Sequence, residues 1–293
     1  YPHELVQSVS AAQAREAAGV PVARGGWLYP RGGALDPGAL CAALIASAND
    51  AIEWRTGVEA QRIEREHNGW SVWDARGGVI ARASVVAFAN AHDAARLAGL
   101  RYAPTRIVRG QLTCLPQSVS PALRLPIIGE GYAAPLPDGL LTGATYDVDD
   151  AGAELRAGSH AENLVRLAGL LPGFDRCAGA SELDPTRLTG RVAFRCVTSD
   201  RLPMIGSLGD EHASAQQADA LRGARLPDLP RAPGLYSAFA FGSRGLVWAS
   251  LGAELVAAQL EGEPWPMERD LADALDPARY LLRALRQGVL RPA

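Results

Sequence analysis

The residues best placed to do chemistry in this sequence are Gly242-Ser-Arg-Gly245. The run GLYSAFAF before them reads as a buried strand, and LVWASLGAELVAAQL after them as a helix of about four turns with Gly262 beyond its end. In such a strand-turn-helix, Gly242 and Gly245 let backbone come close to a ligand. The N–H groups of Ser243, Arg244, Gly245 and Leu246 would point out of the helix start, with its partial positive charge. An electron-rich group fits there, and so does a plain βα turn that needs glycine for steric reasons. A second unit runs Arg195-Cys-Val-Thr-Ser-Asp200-Arg-Leu-Pro203-Met-Ile-Gly206. It offers a guanidinium ahead of an acidic turn, or simply a surface loop leading into a strand. A third is VVAFANAH, Val85 to His92, an apolar strand opening into Ala89, Asn90 and Ala91. Small residues there permit close approach at the strand's carboxyl edge.

Composition removes several other chemistries. All 29 basic residues are arginine, so Schiff-base, P-loop and kinase lysines are impossible. Histidines 3, 67, 92, 160 and 212 have no paired spacing, and no protein-built metal site is expected. Cysteines 41, 114, 177 and 196 form no CxxC and are too few to staple 293 residues, which points to a reducing, cytoplasmic setting. Net charge is −3, so no global basic field advertises nucleic acid. The densest apolar stretch, Val85 to Ala89, is strand-sized, so no membrane span is expected. The chain opens at Tyr1 without an initiator methionine or a signal segment and reads as a piece of something longer.

The elements that must position these units follow from pattern. Asp36-Pro37 is an N-cap followed by a helical first residue, and LCAALIASA carries that helix to about Ala48. GVEAQRIERE, WSVWDA and VIARASVVAFAN, separated at Asn68-Gly69 and Gly77-Gly78, predict a meander ending in the strand around Val85 to Ala89. From Arg101 to Tyr146, short β-rich pieces broken by Pro and Gly predict an antiparallel sheet. Glu154 to Leu171 is helical by leucine spacing and is stopped by Pro172-Gly173. Gly209 to Pro233 reads as a surface excursion, and ARYLLRALRQG as a last helix with Arg279, Arg283 and Arg286 on one face and Arg291 beyond it.

Taken in order, VVAFANAH, RCVTSDRLPMIG and GLYSAFAFGSRGL resemble the D-amino-acid oxidase and glycine oxidase superfamily of flavin-dependent enzymes. GGWLYPRGGALDPGALCAAL, RGQLTCLP, GYAAPLPDG and the series GSRGL, GEP, DPAR extend the likeness over almost the whole chain. Within that superfamily they resemble the oxidoreductase part of the bifunctional enzymes that build 5-methylaminomethyl-2-thiouridine in tRNA. The resemblance implies an α/β (α+β) chain in which an FAD-binding domain, 35–96 and 191–293, is interleaved with an antiparallel-sheet substrate domain, 1–34 and 97–190. The family's N-terminal GxGxxG βαβ unit, which takes the FAD pyrophosphate, is not in this sequence. Its one formal match, Gly129 to Ala134, runs into Pro135 among β-rich residues and is a coincidence of spacing. The resemblance therefore places that unit, and a methyltransferase domain before it, upstream of Tyr1. Cys196 stands where the superfamily often has proline.

The activity implied is FAD-dependent removal of the carboxymethyl group from 5-carboxymethylaminomethyl-2-thiouridine at the tRNA wobble position, leaving the aminomethyl form and glyoxylate. A free-standing oxidase or dehydrogenase of glycine or sarcosine type and a non-catalytic substrate-recognition fragment are the alternatives. By the same resemblance Arg195 grips the substrate carboxylate, and Tyr132 and Gln111 belong to the substrate pocket. Val58, Ala89, Asn90, Ala91, Pro203, Gly206 and residues 242–246 serve the cofactor. Arg279, Arg283 and Arg286 offer a stripe for tRNA phosphates.

Overall fold

The computed structural model describes residues 1–176, 179 and 182–290. The chain begins with β1 (Gln7–Val9), α1 (Ala11–Ala18), β2 (Gly26–Leu28) and α2 (Pro37–Ser47). Next come β3 (Arg62–Glu66), β4 (Gly69–Trp73), β5 (Val79–Ala83), β6 (Val86–Phe88) and α3 (Ala94–Leu97). A strand-rich stretch follows, with β7 (Thr105–Pro116), β8 (Ile127–Ile128), β9 (Tyr132–Leu136), β10 (Gly139–Gly143) and β11 (Asp147–Val148). The remainder is α4 (Ala157–Leu170), β12 (Thr189–Thr198), β13 (Met204–Gly209), α5 (Glu211–Gln216), β14 (Arg231–Phe239), α6 (Gly245–Glu261), α7 (Arg269–Leu275) and α8 (Arg279–Arg286).

Contacts divide the chain into two compact units, Tyr1–Asn49 with Val108–Phe194 and Asp50–Ile107 with Arg195–Ala293. The boundaries expected from sequence, after 34, 96 and 190, fall earlier in the chain. The largest difference is α2, which falls with the first unit. Its start is as expected, with the Asp36 carboxylate accepting from Gly38 N at 2.7 Å and Ala39 N at 3.2 Å. It buries none of its residues, so contacts constrain its membership little.

In the first unit the sheet order is β11-β7-β10-β9-β8, with β12 also on β7. Cross-strand partners share a face, and successive residues alternate. The register Thr113↔Thr142↔Ala133 and Leu115↔Leu140↔Pro135 therefore defines one face, and Leu112↔Gly143↔Tyr132 with Cys114↔Leu141↔Ala134 defines the other. Leu115, Ala133 and Leu140 cluster with Leu167 of α4, Leu171 and Phe174, so α4 covers the first face. A polar layer lies on that same side. Thr113 Oγ1 is 2.8 Å from His160 Nδ1, and Asn163 Nδ2 donates to Thr113 Oγ1 and to the Gln111 carbonyl.

The second unit holds a three-stranded sheet of order β13-β14-β6, antiparallel between β13 and β14 and parallel between β14 and β6. Two expectations need correction here. The meander closes with β5, and β6 belongs to this other sheet, because its Val86 and Phe88 bury against Leu235, Phe239 and Met204. Gly209 to Pro233 is no surface excursion either. It forms α5 and buries Ala215, Leu226 and Leu229 against Leu281, Leu282 and Leu290. Helix α7, which had no signal of its own in the sequence reading, joins α6 over Ile205 through Ala272 and Leu275. No helix among the described residues is long and apolar enough to cross a membrane. No group of three or more His, Cys, Asp or Glu among them could hold a metal ion.

His160 gives the first unit a pH signature. Its side chain is 2% exposed, and burial pushes its imidazole below the ordinary value. Asn163 occupies one lone pair of Thr113 Oγ1, so the hydroxyl proton is free for His160 Nδ1, and Nε2 is buried with no partner among the described residues. A histidine whose folded pKa is depressed gives its full stability above the unfolded value of about 6.5 and loses it as pH falls below that. The unfolding midpoint is expected to fall between pH 7 and pH 5, with a slope that His160→Gln reduces. An unchanged slope in the variant would contradict the assignment, whatever the variant's absolute stability.

Candidate functional site

Because β6 and β14 run parallel in the register Leu235↔Val86, Tyr236↔Ala87, Ser237↔Phe88, both release their following loops at one edge of the sheet. Ala89, Asn90 and Ala91 leave β6 there, and Ala240, Phe241 and Gly242 leave β14. The carboxyl edge of parallel strands is where open α/β sheets accept ligands. Ala91 (φ 55°) and Ala240 (φ 62°) both sit in the left-handed region, as does Gly242 (φ 57°). For an alanine that conformation costs roughly 1–2 kcal/mol. Two such alanines at adjoining strand ends mark backbone held for a purpose. Sequence reasoning missed Ala240, and alanine carries no signature that would have revealed it.

The end of β12 is docked on the same turn. Gly242 N donates to Cys196 O at 2.9 Å, and a Cβ on Gly242 would lie 3.3 Å from Val197 Cγ1. Cys196 and Thr198 point into the core, so the opposite strand face carries Arg195 and Val197 beside the glycine turn. Burial pushes the Cys196 thiol up to about 11, which leaves it a core residue and no nucleophile.

Helix α6 then begins without a side-chain cap. Arg244 N donates to Phe241 O at 3.1 Å, and the N–H groups of Val247 and Trp248 reach Arg244 O, both at 3.1 Å. Ser243, Gly245 and Leu246 keep N–H groups with no protein partner among the described residues, three of the four expected. Among the described residues, its chain neighbours and its own helix backbone apart, nothing lies closer than 3.9 Å to a Cβ built on Gly245, and its φ is not positive. Space and donors at this corner thus fit a planar, electron-rich group such as a flavin's pyrimidine edge. Gly129 to Ala134 forms the approach to β9 and part of that strand, with no helix following it.

Other expected residues separate. Pro203 is buried just before Met204, which pairs with Phe239, and so stays beside the strand ends. Gly206 has a packing role. At φ 121° its missing Cβ makes room for Gln259, whose Oε1 would be 2.8 Å away and accepts from Ser207 N at 3.0 Å. Gln259 is about 21 Å down α6 from Gly245 at the helical rise. Val58, 48% exposed on the segment before β3, lies outside the cluster of strand ends, so its assignment rests on resemblance alone.

Arg279 requires a correction. It is a half-buried clamp and not a member of a phosphate stripe: Nε and Nη2 grip Asp200 at 2.9 and 3.1 Å, and the remaining donors reach the carbonyls of Leu275, Asp276 and Leu202. Burial works to raise the Asp200 carboxyl. The Arg279 pair, Tyr280 and the Leu202 N–H outweigh that and hold it well below the usual carboxylate range. Asp200 Oδ1 also accepts from Thr198 Oγ1 at 3.0 Å, tying the clamp to the end of β12. Arg283 and Arg286 remain exposed on α8, and Arg291 lies outside the described residues.

In the first unit Tyr132 and Gln111 lie on opposite faces of the sheet. Tyr132 is half-buried on the face that α4 leaves uncovered. Gln111 is on the helix side and fully enclosed. Its Oε1 accepts from Arg109 Nη2 at 3.0 Å and Arg156 N at 2.9 Å, and its Nε2 donates to Arg156 O at 2.9 Å. It fixes the start of α4 and is not a pocket residue.

A family model described as FAD dependent oxidoreductase matches residues 1–259. The chain belongs to the FAD-dependent oxidoreductase family. It is 61% identical over 295 residues to the tRNA 5-methylaminomethyl-2-thiouridine biosynthesis bifunctional protein MnmC of Paraburkholderia phytofirmans, with 99% of this chain and 44% of that protein covered. The chain thus spans less than half the length of that relative. Among solved structures it is similar to glycine oxidase from Geobacillus kaustophilus, with TM-score 0.66, 22% identity and coverage of 94% of this chain and 67% of that one. L-proline dehydrogenase from P. horikoshii gives TM-score 0.69, 18% identity and coverage of 98% and 70%. These two show the fold, the D-amino-acid oxidase arrangement of mixed helices and antiparallel sheets.

The Arg279 clamp of this flavin-family fold can be tested by stability alone. Removing one partner of this half-buried, charge-assisted pair is expected to cost about 1.5–3 kcal/mol for Arg279→Ala. The double variant Arg279→Met with Asp200→Asn should cost less. Since the folded Asp200 pKa is lowered, the pair stabilises above an unfolded value of about 3.9 and fades as pH falls below it. Denaturant titrations in which Arg279→Ala loses under 1 kcal/mol would contradict the clamp.

Proposed function

We propose that this chain, within its full-length protein, catalyses FAD-dependent oxidation of an N-substituted glycine carried on tRNA. The substrate in this reading is 5-carboxymethylaminomethyl-2-thiouridine at the wobble position. The 61% identity to a relative named for biosynthesis of 5-methylaminomethyl-2-thiouridine in tRNA carries the assignment. The family match and the three open N–H groups at the start of α6 support the flavin part of it.

The second unit is then the flavin-binding side. When bound, FAD supplies the two-electron acceptor. The chain's residues supply orientation and charge. The amides of Ser243, Gly245 and Leu246, at the positive end of α6, stabilise negative charge on the electron-rich ring edge. Arg195, on the β12 face beside the glycine turn, holds the glycine carboxylate through its planar fork and so fixes the α-carbon. Tyr132 serves as pocket wall and hydroxyl donor. As the α-carbon loses hydride, the nitrogen lone pair forms the C=N bond. Water adds to that imine, and the C–N bond breaks to give the aminomethyl nucleoside and glyoxylate. Arg283 and Arg286 are exposed cations that supplement binding of the tRNA backbone.

Arg195→Ala in the full-length protein removes a charge-assisted pair worth on the order of 1.5–3 kcal/mol, roughly a 10- to 150-fold loss in the rate of substrate-dependent flavin reduction. Arg195→Lys should recover part of it, because an ammonium has no fork. Anaerobic stopped-flow reduction with carboxymethylaminomethyl-modified tRNA is the measurement. Wild-type rates in the alanine variant would overturn the role of Arg195. Reduction of the wild-type flavin by sarcosine but not by the tRNA would make the protein a small-amine oxidase.

A further inference from the structure

We infer that the second unit carries a site for a neutral nucleobase at the end of α6 remote from the flavin corner, a reading that stands without the proposed oxidation. A cleft of about 360 Å³ opens there, within the range of small-molecule sites. Strand register builds one wall of it. Ser207 and Tyr236 oppose each other on β13 and β14, on the sheet face that also bears Ile205 and Ala238 and that α6 covers through Leu255 and Val256. Gln259, one turn beyond Leu255, adds a second wall. Trp265 follows the left-handed cap at Gly262 and packs against the same apolar cluster, completing the cleft.

Three neutral donors line this cleft without a partner among the described residues: the Tyr236 hydroxyl, the Gln259 amide Nε2 and the Trp265 indole N–H. The Gln259 amide is held in one orientation, because its Oε1 accepts from Ser207 N at 3.0 Å, and Nε2 is the group left to present. The charged groups largely neutralise one another. Arg231 holds Asp276 through two bonds of 2.7 Å, and Arg269 Nε holds Asp273 at 3.1 Å while its guanidinium covers one face of Trp265 at 5.0 Å. Glu263 is unpaired among the described residues, so two arginines face three carboxylates and the lining carries a net charge of −1. That balance repels a phosphate, and a simple cation meets two N–H groups with no lone pair for it. A neutral heterocycle with carbonyl or ring-nitrogen acceptors answers the donors, and an exocyclic amine answers Glu263. Its flat faces suit the apolar surface of Pro227, Ala258 and the aromatic rings.

A free nucleoside and an unpaired nucleotide of tRNA share this chemistry, and titration calorimetry on the FAD-loaded, full-length protein separates the two sources. The probes are the four unmodified nucleosides, inorganic phosphate and unmodified tRNA. At least one nucleoside is expected to bind with a Kd on the order of 0.1 mM. Tyr236→Phe removes one donor, and Gln259→Glu removes another while keeping the acceptor for Ser207 N. Each should weaken that nucleoside about three- to tenfold and leave FAD content unchanged, and phosphate should not compete. A tRNA whose affinity falls in both variants is the source of the base, and Tyr236→Phe, which adds no charge, excludes a purely electrostatic loss. A nucleoside that responds to both variants and that tRNA does not displace is bound as a free ligand. If neither nucleoside nor tRNA affinity responds to the two substitutions, the inference is overturned, and displacement of the nucleoside by phosphate would overturn it as well. Flavin reduction by the modified tRNA is read separately, so failure of this site and failure of the proposed oxidation are told apart.

Discussion

Parallel pairing of β6 with β14 is the constraint on which the candidate site depends. It brings Ala89–Ala91 and Ala240–Gly242 to one edge, and the left-handed turn at Ala240 and Gly242 aims the start of α6 across that edge. Three N–H groups then have no protein acceptor among the described residues. In water they are solvated at little cost, but under a ligand they must be satisfied, and an electron-rich ring edge satisfies them. The Cys196 carbonyl holds Gly242, so the strand carrying Arg195 is tied into the same corner.

Polar residues that look functional by type serve as framework elsewhere. Arg109 is fully buried and donates to the carbonyls of Gly152 and Glu154 and to Gln111, which in turn fixes the start of α4. Arg279 does similar work in the second unit, binding Asp200 and the Leu202 carbonyl through Nε and Nη2 and the Leu275 and Asp276 carbonyls through Nη1. In a chain without lysine, arginine must supply both surface charge and internal hydrogen-bonding hubs. Its planar fork suits the second task, because five donors can be met by carbonyls and one carboxylate.

These double roles explain what the sequence made legible and what it did not. The GSRG turn, the capped α2 and the antiparallel stretch after Arg101 were readable because glycine, Asp-Pro and β-rich runs broken by turn residues each have a local physical cause. The allocation of β6 to a different sheet was not, since that depends on its fit against Leu235 and Phe239, more than 140 positions away. Helical spacing of Arg279, Arg283 and Arg286 suggested a common exposed face, yet the first of them is drawn inward by a carboxylate on a distant loop. Gln111 and Tyr132 sit in strands whose one-residue parity decides which face each joins, and that parity emerges only from register. Ala240 carried no signal at all.

Amide hydrogen exchange on the full-length protein, with and without FAD, tests the central claim most directly. If the flavin lies at the edge built by β6, β14 and α6, loading is expected to slow exchange at Ser243, Gly245 and Leu246 and in the loop 89–92. Segments remote from that edge, such as α7, should exchange at unchanged rates. Unchanged exchange at those three amides in a demonstrably FAD-loaded protein would contradict the account and reduce Gly242 to Gly245 to an ordinary turn between strand and helix.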